Sequence, residues 1–478
     1  MTDFADANIV GAQTERVTGH DLSAWIAEAR ALLKLAGPLI VTQLAQMAIM
    51  TTDVIMLGRL GKTSLAAAAL GNTVFFFTWL VGCGPVAAVA PLIAHILGGH
   101  PNNRAGVRAV VRMGFWSVGL LALPLIGVLL LTRPILIALG QQPDLATLAG
   151  AFTRALCLGL PFSLGYQVLR NFATALGRPR SALTVMAIAI AFNFVGDYAL
   201  IFGHFGMPKL GIVGSGVASA CSFAFQFFAM WAVVSLTPKL RLHRVFRRFH
   251  RPDWTKLAEV FRLGMPIGLT MIFEAMMFNA ATLLMGHFGT AAIAGNQVAT
   301  NVASLTFMVP LGLAMAATVR VGLSAGAGDR EGVRRAGYTA MMVSVLCMGT
   351  FGLIFLAFPQ VIADAYFASN ARANADAVAL TVKFLGVAAA FQIFDGLQVV
   401  GALSLRGLKD ARAPMWIAAA SYWLVGFPAC LLFGFGLHME GVGIWIGLAF
   451  GLLVAAAAMG ARFYYLSREP VGKFALAG

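Results

Sequence analysis

Long apolar segments recur along the whole of this 478-residue chain. About 20 consecutive apolar residues in a helix are enough to cross the ~30 Å hydrocarbon core of a bilayer. The segments of sufficient length are residues 32–58, 65–98, 107–131, 146–176, 181–204, 211–236, 257–287, 290–325, 334–358, 377–406, 412–437 and 441–466. The sequence therefore predicts twelve membrane-spanning helices.

The composition is that of a chain whose main solvent is lipid. Hydrophobic residues make up 59% of it, charged residues only 11%, and the mean hydropathy is +0.83. A soluble domain carries about 25% charged residues. Because backbone groups in lipid must bond within their own segment, runs of this length predict an all-α membrane protein. Prolines inside the spans are candidate kinks, at Pro38, Pro85, Pro91, Pro124, Pro161, Pro266, Pro310 and Pro428.

Basic residues indicate how the chain is oriented. They concentrate on one side of the predicted membrane, most densely in a linker, residues 237–256, which contains Lys239, Arg241, Arg244, Arg247, Arg248, Arg251 and Lys256. The positive-inside rule then predicts a cytoplasmic linker, a cytoplasmic N-terminal segment (1–30) and a cytoplasmic tail (467–478). The net charge of +15 could suggest nucleic-acid binding. The position of the basic linker between two spans favours lipid headgroups as its partner instead.

The two halves of the chain repeat each other. Leu35-Ala36-Gly37-Pro38 matches Leu263-Gly264-Met265-Pro266 at a shift of 228 residues, and the same shift places Gly98 on Gly326. The halves are an N-lobe (31–236, spans 1–6) and a C-lobe (257–466, spans 7–12). Because each has an even number of spans, the repeats are parallel. Parallel repeats are typical of transporters whose halves rock about a site between them.

Four acidic residues lie well inside predicted spans: Asp53, Asp197, Glu274 and Asp395. A carboxylate in hydrocarbon is costly, so it marks an ion or proton site or is a protonated structural group. Asn193 and Asp197 are four residues apart and share a helix face, and Asp53 is predicted at a similar depth. Arg and Lys cluster at span ends, so we expect no cation deep enough to pair with these acids. A proton or Na+ would serve equally well.

Other polar residues are candidates for a cavity lining. Gln43 and Gln46 precede Asp53 in span 1, and Gln297, Asn301 and Ser304 recur on one face of span 8. They could line a cavity or bond between helices, and Asn301 is also a candidate for cation binding in the C-lobe. The sequence contains no nucleotide-binding, hydrolase or metalloprotease motif. It therefore predicts no ATP hydrolysis, no enzymatic activity and no cofactor.

Several motifs together resemble the multidrug and toxic compound extrusion (MATE) transporters, specifically their NorM-like branch. The similarity extends over roughly residues 30–466. The motifs are TDVIMLG (52–58), LRNF (169–172), FE (273–274), NQVA (296–299), DGLQVV (395–400) and LRG (405–407). The resemblance implies a V-shaped, monomeric bundle of two six-helix lobes in a bacterial-type inner membrane. It also implies export of cationic amphipathic drugs in exchange for Na+ or H+.

The resemblance also implies which residues bind the coupling ion. In the C-lobe a Na+ site would be built around Glu274 and Asp395, with Phe391 where relatives often have Tyr. In the N-lobe, Asp53, Asn193 and Asp197 match the set that some members use. Two alternatives remain open from the sequence, a lipid-linked oligosaccharide flippase of the same superfamily and an uncoupled channel or uniporter. The expected absence of deep Arg or Lys argues against the flippase, and the membrane acids argue against the channel.

Overall fold

The computed structural model describes residues 22–247, 249–367 and 375–468, and all its regular secondary structure over these ranges is helical. The predicted N-terminal segment is described only from Leu22 onward. Arg248 and most of the predicted tail, from residue 469, lie outside the described residues.

Helices long and apolar enough to cross a membrane occur throughout the described ranges. Eleven meet that condition singly, and a bent pair forms a twelfth. We number them α1 Leu22–Gly58, α2 Lys62–Gly99, α3 Arg104–Leu130, α4 (Pro143–Leu156 with Gly159–Ala175), α5 Arg180–Phe202, α6 Ile212–Leu236, α7 Trp254–Phe288, α8 Thr290–Gly326, α9 Arg330–Ala357, α10 Ala375–Gly407, α11 Arg412–Gly436 and α12 Glu440–Arg468. The prediction of twelve spans is confirmed.

Some spans are irregular at predicted prolines. The two segments of α4 meet at an angle of 49°, just before Pro161. In α2 the helix breaks at Ala88, between Pro85 and Pro91. A proline lacks the amide hydrogen that would continue the helical ladder, so bends at these points follow from the sequence.

The repeat is visible in local hydrogen bonds. Thr42 donates its hydroxyl to the carbonyl of Pro38 at 2.7 Å, and Thr270, 228 residues later, donates to Pro266 at 2.8 Å. The caps of α3 and α9 also correspond. Asn103 accepts from the amide of Gly106 at 2.9 Å, and Asp329 accepts from that of Gly332 at 2.9 Å. Such N-caps satisfy amides that have no partner within the helix.

Two large apolar cores hold the halves together, and α1 and α7 cross between them. Leu32 and Leu39 of α1 lie in the core of the C-terminal half, whereas Ile49 and Leu57 lie in that of the N-terminal half. In α7 the order is reversed, since Val260 and Ile267 pack into the N-terminal core and Met277 and Met285 into the C-terminal one. Each half therefore holds one end of a helix from the other.

The halves approach most closely on the side of the linker, which we call the linker side. A Cβ atom at Gly98 of α2 would overlap the carbonyl of Leu323 on α8, and one at Gly326 of α8 would overlap the carbonyl of His95 on α2. These two contacts are related by the 228-residue shift. Because only glycine fits at both positions, the repeat places the same close backbone crossing on each side of the pseudo-two-fold axis.

Candidate functional site

In the N-lobe the structure brings the three predicted residues together. Asp53 of α1 faces Asn193 and Asp197 of α5, and Ser219 of α6 donates its hydroxyl to Asp53 Oδ2 at 3.3 Å. Asn193 is 1% exposed and Asp197 is fully buried. Within the described ranges no cationic side chain forms an ion pair with either acid. Two adjacent carboxylates without a counter-charge are stable only if a proton or a bound cation lies with them.

Asp53 borders an open cavity of about 440 Å³, whereas Asp197 lies buried behind it. Asp53, Asn193, Ser219 and Gln46 form part of its polar wall, and Asn279 of α7 reaches it from the other half. Its apolar wall is largely aromatic, with Phe75, Phe76, Phe77, Trp79, Phe152 and Phe223. We call it the N-lobe cavity. An aromatic wall with one anionic corner suits a flat, cationic, amphipathic molecule.

In the C-lobe, Glu274 of α7 and Asp395 of α10 are electrostatic neighbours. Asp395 is 4% exposed, and the space beside Glu274 is only about 10 Å³. Tyr422 of α11 is buried there too, and it interacts electrostatically with both acids. The pair is therefore closed off, unlike the pair in the N-lobe.

Tyr422 is a candidate that sequence reasoning missed. It lies in Ala420–Gly426, a stretch where α11 widens into a π-helix. Such stretches are frequent at functional sites. Among the described residues its hydroxyl has no hydrogen-bond partner. The chain has only seven tyrosines, and Tyr422 lies within an apolar span. That position was the signal by which the sequence could have indicated it.

Phe391 lies beside this pair within a cluster of aromatic rings. It is 1% exposed and packs edge-on against Trp445 at 5.3 Å and Phe278 at 6.0 Å between ring centroids. Trp445 in turn donates to Asn296 Oδ1 at 3.1 Å. These contacts give Phe391 a packing role around the site.

The remaining polar candidates are not brought to either acid pair. Asn301 is exposed and accepts a hydrogen bond from the Tyr366 hydroxyl at 2.8 Å. Gln297, on the same face, is exposed, and Ser304 is half-buried. Gln43 accepts from Arg170 Nη1 at 2.8 Å. Of the five predicted lining residues, only Gln46 borders the N-lobe cavity.

Two basic residues are more deeply buried than the sequence predicts, although neither forms an ion pair with the four acids among the described residues. Arg170 of α4 and Arg406 of α10 are only 5% and 7% exposed, and Arg406 interacts electrostatically with Glu274. Both lie near linker-side ends of spans, where a long side chain would normally reach the headgroups. Here the opposite half covers the end that bears Arg170, as the contact from Arg170 Nη2 to Met315 Sδ at 3.9 Å shows, and Arg406 lies near enough to Cys83 of the other half to interact with it electrostatically.

The fold and these sites define a polytopic helical membrane protein built from two parallel, pseudo-symmetric halves with membrane-embedded acids in each. The sequence profile of the MatE family matches residues 38–199 and 266–432. A probable multidrug resistance protein NorM from Mesorhizobium japonicum is 45% identical over 440 residues, which cover 92% of this chain and 94% of that protein. The chain belongs to the MatE family, as its motifs predicted.

Solved structures agree on the fold. A eukaryotic MATE transporter, AtDTX14, is 23% identical with a TM-score of 0.81, over 94% of this chain and 99% of that one. A mutant of the Vibrio cholerae MATE transporter VcmN is 18% identical with a TM-score of 0.82, over 94% and 99%. At such identities the likeness concerns the arrangement of helices alone.

Proposed function

We propose that this protein is a secondary active multidrug exporter of a bacterial inner membrane, carrying cationic amphipathic compounds outward in exchange for Na+ or H+. Relatives such as that from Mesorhizobium japonicum carry the name multidrug resistance protein. The observation that supports coupling most strongly is the Asp53–Asp197 pair, which has no ion-pair partner among the described residues and reaches a cavity of drug-like size through Asp53. The transporter works as a monomer with the linker and both termini in the cytoplasm.

Exchange follows if cation and drug use the same carboxylates. A proton or Na+ at Asp53–Asp197 removes the negative charge that holds a cationic drug in the N-lobe cavity, so uptake of the ion favours release of the drug. Coupling requires the two ligands to bind with different affinities to the outward-open and inward-open states. Here the halves meet on the linker side, which is the arrangement expected for the outward-open state.

The C-lobe pair is a second cation site in this scheme. Glu274 and Asp395, with the Tyr422 hydroxyl beside them, offer the oxygen ligands that Na+ takes. Within the described ranges no group of three or more His, Cys, Asp or Glu gathers as a metal site. Arg406 supplies part of the charge that a cation would supply, so the C-lobe pair needs the ion less than the N-lobe pair does.

The flippase alternative is weaker for a structural reason, although the buried arginines remove one objection to it. Arg170 is bonded to Gln43, and Arg406 interacts with Glu274. The open N-lobe cavity carries uncompensated acids, which would repel a pyrophosphate.

Efflux from proteoliposomes tests coupling directly. Vesicles loaded with ethidium are given an inward gradient of Na+ or of H+, each imposed separately, and the loss of dye is followed by fluorescence. Export that accelerates under one of these gradients is expected. An export rate that is the same with and without both gradients would identify an uncoupled channel or uniporter.

A further inference from the structure

A second cavity opens on the linker side of the molecule, away from both acid pairs. Its volume is about 540 Å³, and its wall combines the start of α1, the ends of α2, α4 and α8, the start of α3, and the linker. We call it the linker-face cavity. Six basic side chains line it: Arg30, Lys34, Arg104, Arg178, Lys239 and Arg320.

The charge of this cavity is positive and poorly balanced. No Asp or Glu is among the described residues that line it. Arg320 is paired with Glu28, to which its Nε donates at 2.8 Å. Arg30, Arg104, Arg178 and Lys239 form no ion pair with any residue that the structure describes. An excess of fixed positive charge in a concave site attracts anions.

The positive charge of the cavity also affects His243. It lines the cavity, is 8% exposed and packs edge-on against Phe172 at 5.6 Å between ring centroids. Burial lowers the pKa of His243, and the positive charges of Arg104 and Arg108 lower it further. The ring is therefore neutral at pH 7, and the charge of the cavity comes from its Arg and Lys side chains.

The remaining surface of the cavity is apolar. Leu35, Leu97, Leu240, Val319 and Leu323 contribute to it. Inorganic phosphate would leave these side chains uncovered, whereas a phosphate that carries acyl chains would contact both parts of the wall. Basic pockets between membrane helices on the cytoplasmic side bind anionic lipid headgroups in this way.

We propose that the linker-face cavity binds an anionic phospholipid of the adjoining leaflet, with its phosphate among Arg104, Arg178 and Lys239 and an acyl chain along the leucines. The lipid contacts both halves, because Arg30 belongs to α1 and Arg320 and Leu323 belong to α8. It therefore stabilises the arrangement in which the halves meet on the linker side. A ligand shifts such an equilibrium only by its difference in affinity for the two states.

Binding is tested without any transport measurement, so the result is independent of the ion exchanged. The purified protein is titrated in detergent with dioleoylphosphatidylglycerol, with dioleoylphosphatidylcholine and with inorganic phosphate. Native mass spectrometry counts bound lipids, and thermal unfolding measures stabilisation. The test variant is Arg104→Gln/Arg178→Gln/Lys239→Gln. The matched control, Arg251→Gln/Arg330→Gln/Arg412→Gln, removes three exposed charges from the linker side outside the cavity.

Phosphatidylglycerol is expected to bind and stabilise the wild type and the control, whereas the test variant loses at least about tenfold in affinity for it. Phosphatidylcholine is expected to have no such effect. Equal affinities of the two variants for phosphatidylglycerol would overturn the proposal, because the lipid would then respond to overall charge. Equal stabilisation by inorganic phosphate would also overturn it and would identify a site for free anions.

Discussion

Each lobe contains a pair of membrane-embedded acids, but the surroundings of the two pairs differ. Asp53 borders an open cavity of about 440 Å³ with Asp197 buried beside it, and neither acid has an ion-pair partner among the described residues. Glu274 and Asp395 lie against a space of about 10 Å³, with Arg406 acting on Glu274. The repeat thus supplied the same scaffold twice, while the side chains placed on it diverged.

From the different surroundings of the two acid pairs we infer different roles for them in transport. In the proposed exchange, the N-lobe pair takes up and releases a cation whenever the drug leaves or enters. A closed pair with a positive charge near it changes its state less. We therefore expect the coupling ion to act chiefly in the N-lobe, with a smaller contribution from the C-lobe.

The largest effect is expected from Asp53→Asn. The amide keeps the size of the side chain but removes the charge that a cation or a cationic drug would neutralise. Gradient-driven efflux of ethidium from proteoliposomes should fall about fiftyfold, near the upper range of measured couplings. Asp144→Asn, an exposed acid in the first turn of α4, is the control and should transport normally. Normal efflux by Asp53→Asn would remove the N-lobe from the mechanism.

The second-largest effect is expected from Gly98→Ala, at the close contact between the halves, and it concerns stability. Gly98→Ala places a methyl group against the backbone of α8, and we expect a loss of about 1–3 kcal/mol in the free energy of unfolding, as in overpacked cores. Thermal unfolding in detergent measures it. Gly119→Ala, which has open space at its Cβ position, is the control. If both variants unfold alike, the close crossing of α2 and α8 does not hold the halves together.

Glu274→Gln should have a smaller effect on transport than Asp53→Asn. Arg406 already offsets part of the charge of Glu274, so neutralising this residue changes the site less. We expect about a fivefold loss of gradient-driven efflux. Asp376→Asn, an exposed acid at the start of α10, is the control. A loss greater than that of Asp53→Asn would reverse our ranking of the two lobes.

The smallest effect is expected from Ser219→Ala. This change removes one hydrogen bond of 3.3 Å to Asp53 Oδ2, and roughly 0.5 kcal/mol is the lower range for such a bond. Efflux should fall about two- to threefold. Ser222→Ala removes a hydroxyl from the same cavity that has no partner among the described residues. If the two alanine variants behave alike, the hydroxyl of Ser219 does not tune Asp53.

The fold was largely predictable because membrane helices are specified by local properties. Length, apolarity and flanking charge mark each span, and Pro161 indicated the bend of α4. The crossing of α1 and α7 between the cores could not be predicted. Leu32 and Val260 are equally apolar in either core, and the choice depends on contacts between distant parts of the chain.

The sites were predictable to the extent that each residue stands out in its own span. Asp53, Asn193 and Asp197 stand out, because an acid or amide within hydrocarbon is costly and therefore marks a site. Arg406 did not, because a basic residue near the end of a span normally reaches the membrane surface. Only the packing of the other half shows that it is buried. Asn301 also stands out in its span, but the structure shows it exposed and bonded to the Tyr366 hydroxyl, a contact that depends on a distant part of the chain.

The displacement of cations by drug tests the division between the lobes most directly. Purified protein is saturated with H+ in weakly buffered detergent solution, or with 22Na+, and ethidium is added while released ions are counted. We predict release from the wild type and from Glu274→Gln, and far less from Asp53→Asn. Release from Asp53→Asn equal to that from the wild type, together with none from Glu274→Gln, would place the exchange in the C-lobe and contradict this account.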